Sequence, residues 1–152
     1  MRPLERLTEL GLTLPSVVPP VAAYVPAVRT GDLVFTSGQL PMAGGAMAHT
    51  GLVGDAVTPE QAKDLARICA LNALAAIDAL VGLDQVVRVV KVVGFVASAP
   101  GFTGQPGVIN GASELLGEVF GDAGRHARSA VGVAALPLDA PVEVEVVVEV
   151  TG

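Results

Sequence analysis

Tryptophan is missing from this 152-residue chain, and aromatic residues make only 3% of it, one Tyr and four Phe. A core without large rings must come from aliphatic side chains, and 51% of the chain is hydrophobic, chiefly Val, Leu, Ile and Ala. The single Cys69 excludes an internal disulfide framework and any Cys-rich zinc site. His49 and His126 are the only histidines, so no metal-ligand spacing exists. One lone thiol suits a reducing compartment, and a cytoplasmic location is expected. Charge is scarce as well: charged residues make 16% of the chain, against about 25% in an average domain. So little polar material cannot cover a whole monomer, and part of the surface is expected to be hidden in an oligomer. The net charge of −6 lacks the basic footprint of a general nucleic-acid binder. It still allows one local Arg to hold a small anion.

Long hydrophobic runs are also wanting. Residues 10–28 carry no charge, but Pro15, Pro19, Pro20 and Pro26 interrupt them, and Arg2, Glu5, Arg6 and Glu9 before them cancel. Neither a positive leader nor a continuous apolar stretch results, so no signal peptide is expected. Residues 92–113 are uncharged too, yet Gly and Pro break them, and no membrane span is expected. The length suits one domain. We divide the chain into an N-terminal extension, 1–20, and a single domain, 21–152.

Pro3–Leu10 can form a short helix with Leu4, Leu7 and Leu10 on one side. An extended Pro-rich arm follows at 15–20. Ala22–Arg29 and Leu33–Ser37 read as two strands of a hairpin across Thr30-Gly31-Asp32, Pro26 restricting the first to an edge or bulge. Residues 38–54 read as a loop. Thr58-Pro59-Glu60-Gln61 opens a helix with a capping box, and its apolar stripe runs to Val81 before Gly82. Gln85–Ala97 is Val-rich and reads as a strand buried on both faces. A second long helix is expected over Val108–Phe120 and a strand over Ser129–Ala134. The last strand alternates: Val142, Val144, Val146, Val148 and Val150 point one way, Glu143, Glu145, Val147 and Glu149 the other. The predicted class is α+β, one mixed sheet with two helices on one face. The opposite face, rich in Val, needs cover, which packing three copies around an axis supplies.

No nucleophile elbow, phosphate loop or dinucleotide fingerprint is present. The chemistry-bearing candidates are Arg128, Glu143, Tyr24 and Ser37. Arg128 precedes an apolar strand, where a guanidinium can clamp a carboxylate or stand in solvent. Glu143 lies on the polar face of the last strand. In a cleft, desolvation would raise its pKa and suit it to holding water or moving a proton; on a wet face it would do neither. Tyr24 can pack in the core or offer its hydroxyl to a ligand. Ser37 has no nearby base in sequence. His126 is a weak acid–base candidate beside Arg128.

The segment Tyr24–Pro41, with Ser37-Gly38-Gln39-Leu40-Pro41 at its end, resembles the RidA/YjgF family, also called endoribonuclease L-PSP or translation inhibitors. So does Ala127-Arg128-Ser129-Ala130-Val131 running on to Val142-Glu143-Val144-Glu145, and the resemblance spans about residues 20–150. It implies a homotrimer of chorismate-mutase-like shape with a cleft at each subunit interface. In that cleft Arg128 would bind a substrate carboxylate, Glu143 would hold or activate water, and Tyr24 and Ser37 would line the walls. The implied reaction is hydrolysis of reactive enamine and imine acids, such as 2-aminoacrylate and 2-iminopropionate, to keto acid and ammonia. No metal or organic cofactor is implied. The chain departs from the family at Ala22-Ala23, where Gly is usual, and at Ala130, often Cys. Its second-helix region is longer, which leaves Asn110 as the candidate for the family's substrate-contacting Asn. The extension 1–20 resembles a longer bacterial branch. The alternative reading is a non-catalytic binder of small carboxylates. Ribonuclease activity is disfavoured by the acidic charge and scarce aromatics.

Overall fold

The computed structural model describes residues 1–20 and 22–152. The elements are α1 (Pro3–Glu9), β1 (Ala27–Thr30), β2 (Leu33–Thr36), β3 (Met42–Ala43), β4 (Ala46–Met47), α2 (Pro59–Val81), β5 (Val86–Ala97), α3 (Gln105–Phe120), β6 (Ala127–Val133) and β7 (Val142–Val150). Five strands form one mixed sheet in the order β1-β2-β7-β5-β6. Only β5 and β6 run parallel, joined through α3; the other pairs are antiparallel. β3 and β4 form a separate small hairpin.

The alternation of β7 decides the layers. Val142, Val144, Val146, Val148 and Val150 are buried against the helices, with Glu143, Glu145, Val147 and Glu149 half-buried on the other side. α2 presents Leu65, Ala66, Cys69, Ala73 and Ile77 to that core. Its start is held by the expected capping box: Gln61 N–H donates to Thr58 Oγ1 at 3.1 Å, and Thr58 N–H donates to Gln61 Oε1 at 2.9 Å. Such a cap contributes about 1 kcal/mol. α3 crosses α2 so closely that a Cβ on Gly111 would lie 1.9 Å from the Lys63 carbonyl oxygen. Lys63–Glu114 and Arg67–Glu118 ion pairs flank the crossing at 3.0 and 2.8 Å; being exposed, they add little. α1 docks on the same layer, with Leu7 in the core, Arg6 Nε donating to the Glu118 carbonyl and Leu4 N–H to Asp84 Oδ1.

Both predicted helices lie on one face of a mixed sheet, as expected. Four local expectations need correction. β1 starts at Ala27 instead of Ala22, because Pro26 lacks the donor a ladder needs. Residues 38–54 contain the β3–β4 hairpin, whose turn is made by Gly44 and Gly45 at φ 61° and 81°, a conformation glycine adopts without cost. α3 begins three residues early at Gln105, with Pro106 in its first turn. β5 is not buried on both faces: Val87 and Val90 are exposed, while Val89, Val92 and Val96 are buried beneath the helices. Among the described residues no helix is long and apolar enough to cross a membrane.

Candidate functional site

The candidate residues fall into two groups. The first surrounds a cavity of about 370 Å³ at one end of the open sheet face. Glu143, the second residue of β7, forms its floor with Gly38. Gln39 extends the pairing of β2 with β7 through bonds of 2.8 and 3.0 Å to Val144, which brings Gly38 beside the carboxyl group. A Cβ on Gly38 would stand 2.7 Å from Glu143 Cδ and Oε2. Glycine here makes room for the carboxylate. Tyr24 and Pro26 form one wall, Leu40 and Met42 another, and the arm residues Val18, Pro19 and Pro20 a third.

Pro137 and Leu138 also line the cavity. Leu138 and Asp139 both have φ of 58°, in the left-handed region. Leucine costs roughly 1–2 kcal/mol there, whereas aspartate tolerates the region better. Leu138 lines the cavity and is 60% exposed. Burial raises the pKa of Glu143, and the nearby charge of Glu145, two residues along the same face, raises it further. A carboxyl so placed is poised to exchange a proton with a water or a leaving group. Ser37 stands next to Gly38 but turns its hydroxyl to the Val25 carbonyl, pinning the Tyr24 segment. Cys69 lies buried under β7 against the Val142 carbonyl. Burial pushes its thiol well up, with a smaller push from the Glu143 charge.

The second group sits on the far edge of the sheet. Arg128 on β6 faces α3, where Nη1 donates to Asn110 Oδ1 at 2.8 Å and to Ser113 Oγ at 3.3 Å, and Nη2 to the Pro106 carbonyl at 3.3 Å. Sequence reasoning named Asn110 but missed Ser113, which has no signal beyond its place one helical turn on. Ser113 Oγ lies 2.8 Å from His126 Nε2, and His126 Nδ1 lies 2.6 Å from the Gly124 carbonyl. A carbonyl only accepts, so the proton belongs on Nδ1. Nε2 then accepts from the Ser113 hydroxyl, whose oxygen accepts from Arg128. His126 thus acts through Ser113 to set the guanidinium. Asn110, Ser113 and the Pro106 carbonyl are all neutral, and among the described residues no carboxylate pairs with Arg128. This guanidinium is oriented by neutral acceptors, which leave its charge unneutralised.

The two groups do not meet in one chain. Arg128 pairs with Val92 and thence with Val146, two strands across and three residues along from Glu143. Strand spacing makes that roughly 10 Å across the sheet and 10 Å along it, and the two side chains leave opposite faces. The described residues contain no cluster of three or more His, Cys, Asp or Glu that could hold a metal ion.

Residues 15–150 match the family described as Endoribonuclease L-PSP. The protein TCP17 of Trypanosoma cruzi is 46% identical over 147 residues, 94% of this chain and 91% of TCP17. Among solved structures, Atu1372 of Agrobacterium tumefaciens, a protein of unknown function, is 49% identical with a TM-score of 0.90, over 97% of this chain and 91% of that one. A Shewanella oneidensis structure with a provisional endoribonuclease designation is 30% identical with a TM-score of 0.95, over 99% and 100% of the two chains. More distantly, Escherichia coli TdcF with bound serine aligns at 25% identity and a TM-score of 0.62, over 90% and 93%. By sequence and by fold, this chain belongs to the endoribonuclease L-PSP family, the YjgF/RidA proteins.

Proposed function

We propose that the protein hydrolyses small enamine or imine carboxylates to keto acid and ammonia, at a site shared between subunits of a homotrimer. The observation that carries this reading is Glu143, a half-buried carboxyl with a raised pKa at the floor of a cavity. Arg128, set by neutral partners, supplies the anion clamp. The serine bound to TdcF is a small amino acid with a carboxylate of the kind such a clamp takes.

The open sheet face supports the trimer. Val28 is 50% exposed, Phe35 39% and Val131 44%, and strand register places them on one face with Val147. Exposed apolar side chains gathered on one sheet face, here among Glu143, Glu145, Glu149 and Lys91, are of the kind that interfaces cover. Packing that face against two copies can bring the Arg128 edge of one subunit to the Glu143 cavity of the next.

In the proposed reaction Arg128 holds the carboxylate and so fixes the C=N carbon. Glu143 takes a proton from water as the oxygen adds to that carbon. That proton passes to the nitrogen, giving a carbinolamine; Glu143 then takes the hydroxyl proton as the C=O forms and the C–N bond breaks, and this second proton leaves on the nitrogen as ammonia. The test is ammonia release from 2-iminopropionate generated in situ by an amino-acid oxidase, with wild type and Arg128→Ala compared at equal trimer content. Acceleration by wild type and its loss in the variant are expected. A folded, trimeric wild type that accelerates nothing overturns the reading. Saturable binding without turnover would then favour a carboxylate binder, a second reading that the serine in TdcF equally suits.

A further inference from the structure

We propose that Ser113 and His126 form a nucleophile–base pair that transfers the acyl group of small carboxylic esters, an activity distinct from imine hydrolysis. Pro106, Asn110 and Ser113 recur at steps of four and three along α3 and so share one face. His126 directly precedes β6, Arg128 is the second residue of that strand, and strand alternation turns both toward that face. Three groups thereby stand in sequence. Ser113 Oγ is 2.8 Å from His126 Nε2, and His126 Nδ1 is 2.6 Å from the Gly124 carbonyl. A nucleophile bonded to a base whose far side is held by a third group is the arrangement that activates serine. The turn that offers the carbonyl is pressed against α3: a Cβ on Gly124 would stand 2.4 Å from the Leu116 carbonyl oxygen.

With the proton on Nδ1, Nε2 can take the proton of Ser113. Oγ accepts from Arg128 Nη1 at 3.3 Å with one lone pair and keeps the other for attack. Orienting the guanidinium needs only an acceptor, which Asn110 already supplies at 2.8 Å; a base behind Ser113 adds reactivity. Ser113, His126 and Arg128 are half-buried and Asn110 is exposed, so the pair is partly open at the sheet edge. In the proposed reaction Oγ bonds to the ester carbonyl carbon as its proton passes to Nε2. The carbonyl oxygen takes up the negative charge and faces the guanidinium. As the C=O re-forms, the ester C–O bond breaks and the alcohol leaves with the proton from Nε2. Water then gives a proton to Nε2 and adds to the acyl carbon. Oγ departs, regains that proton, and the carboxylic acid is released. The Gly124 carbonyl orients the ring without a full charge, so the acceleration is that of a dyad.

The probe is p-nitrophenyl acetate. The wild-type protein should release a burst of nitrophenol, about one per chain, with the acetyl group placed on Ser113 by mass spectrometry. Ser113→Ala removes the nucleophile. His126→Gln keeps an acceptor for the Ser113 hydroxyl but cannot take its proton. Each should slow acetylation about 10²-fold or more. A role confined to orienting Arg128 would leave ester cleavage unmoved in both. A fluorophosphonate, which captures activated serines, should label Ser113 in the unaltered protein, a readout that depends on no variant's folding. Acetyl or phosphonyl groups found elsewhere with Ser113 unmodified, or a His126→Gln variant as fast as wild type, would overturn the proposal.

Discussion

The Glu143 cavity and the Arg128 edge are built on opposite principles. The cavity is a largely apolar enclosure around one carboxyl, and its chemistry comes from removing water: burial raises the Glu143 pKa. The edge is a hydrogen-bonded lattice in which Asn110, Ser113 and the Pro106 carbonyl orient a guanidinium without neutralising it. One half tunes a proton and the other aims a charge. The sheet between them keeps them apart within a chain. The proposed interfacial site is the arrangement that would use both.

The sharpest way to break this comparison is to put the halves on different subunits. Arg128→Ala and Glu143→Gln should each lower kcat/KM by about 10²–10³-fold, the cost of losing one partner in a charge-assisted contact. Refolded together at equal ratio, they should recover about a quarter of wild-type activity, since one interface in four pairs an intact Arg128 with an intact Glu143. No recovery, despite mixed trimers shown by mass spectrometry, would place both residues' work within one chain.

Glycine substitutions should separate the halves next. Gly111→Ala drives a Cβ into the Lys63 backbone, and denaturant unfolding should show a loss of about 2–4 kcal/mol. In Gly38→Ala the nearest atoms to the new Cβ are those of the movable end of Glu143. It should cost less than about 1 kcal/mol of stability yet lower activity about 10–100-fold by displacing the carboxyl. Equal stability losses would show that the cavity floor is as rigid as the helix crossing.

Smaller effects sharpen the electrostatics. The native state holds the Glu143 proton in a pH window where the unfolded chain has released it. That residue's stabilising contribution is present below the unfolded value, near pH 4.3, and is lost as pH rises through the elevated native value. Glu143→Gln should therefore raise Tm at neutral pH by the equivalent of under about 1 kcal/mol, discounted because the group is half exposed, with the gain fading toward about pH 4. A Tm gain that persists in acid would assign the effect to packing. Ser113→Ala should raise KM several-fold, about 0.5–1.5 kcal/mol for one hydrogen bond, with kcat nearly unchanged. A fall in kcat alone would mean that Ser113 serves the reaction and not the clamp.

Much of this was legible from particular residues. The Val/Glu alternation of 142–150 marked β7 and its two faces, and Thr58 with Gln61 marked the start of α2, since both signals are local and periodic. Arg128 and Glu143 were candidates by their residue chemistry and strand positions, and the motif resemblance supplied their expected roles. Their separation was not visible, because register and strand order are properties of pairing. The β3–β4 hairpin hid in a glycine-rich stretch of two-residue strands, too short for any period to show. Ser113 and His126 are thirteen residues apart, and only the return of β6 beneath α3 brings them within 2.8 Å.

An aliphatic, charge-poor α+β domain, its capped α2 and its alternating last strand all follow from the amino-acid sequence, because composition, caps and periodicity act over a few neighbouring residues. Long-range packing settled the rest: the arm roofs the Glu143 cavity, Gly38 leaves room for the carboxyl, and Arg128 is set through Asn110, Ser113 and His126 on the far edge. Those relations join residues as distant as Val18 and Leu138, and over such separations no local pattern constrains which side chain meets which.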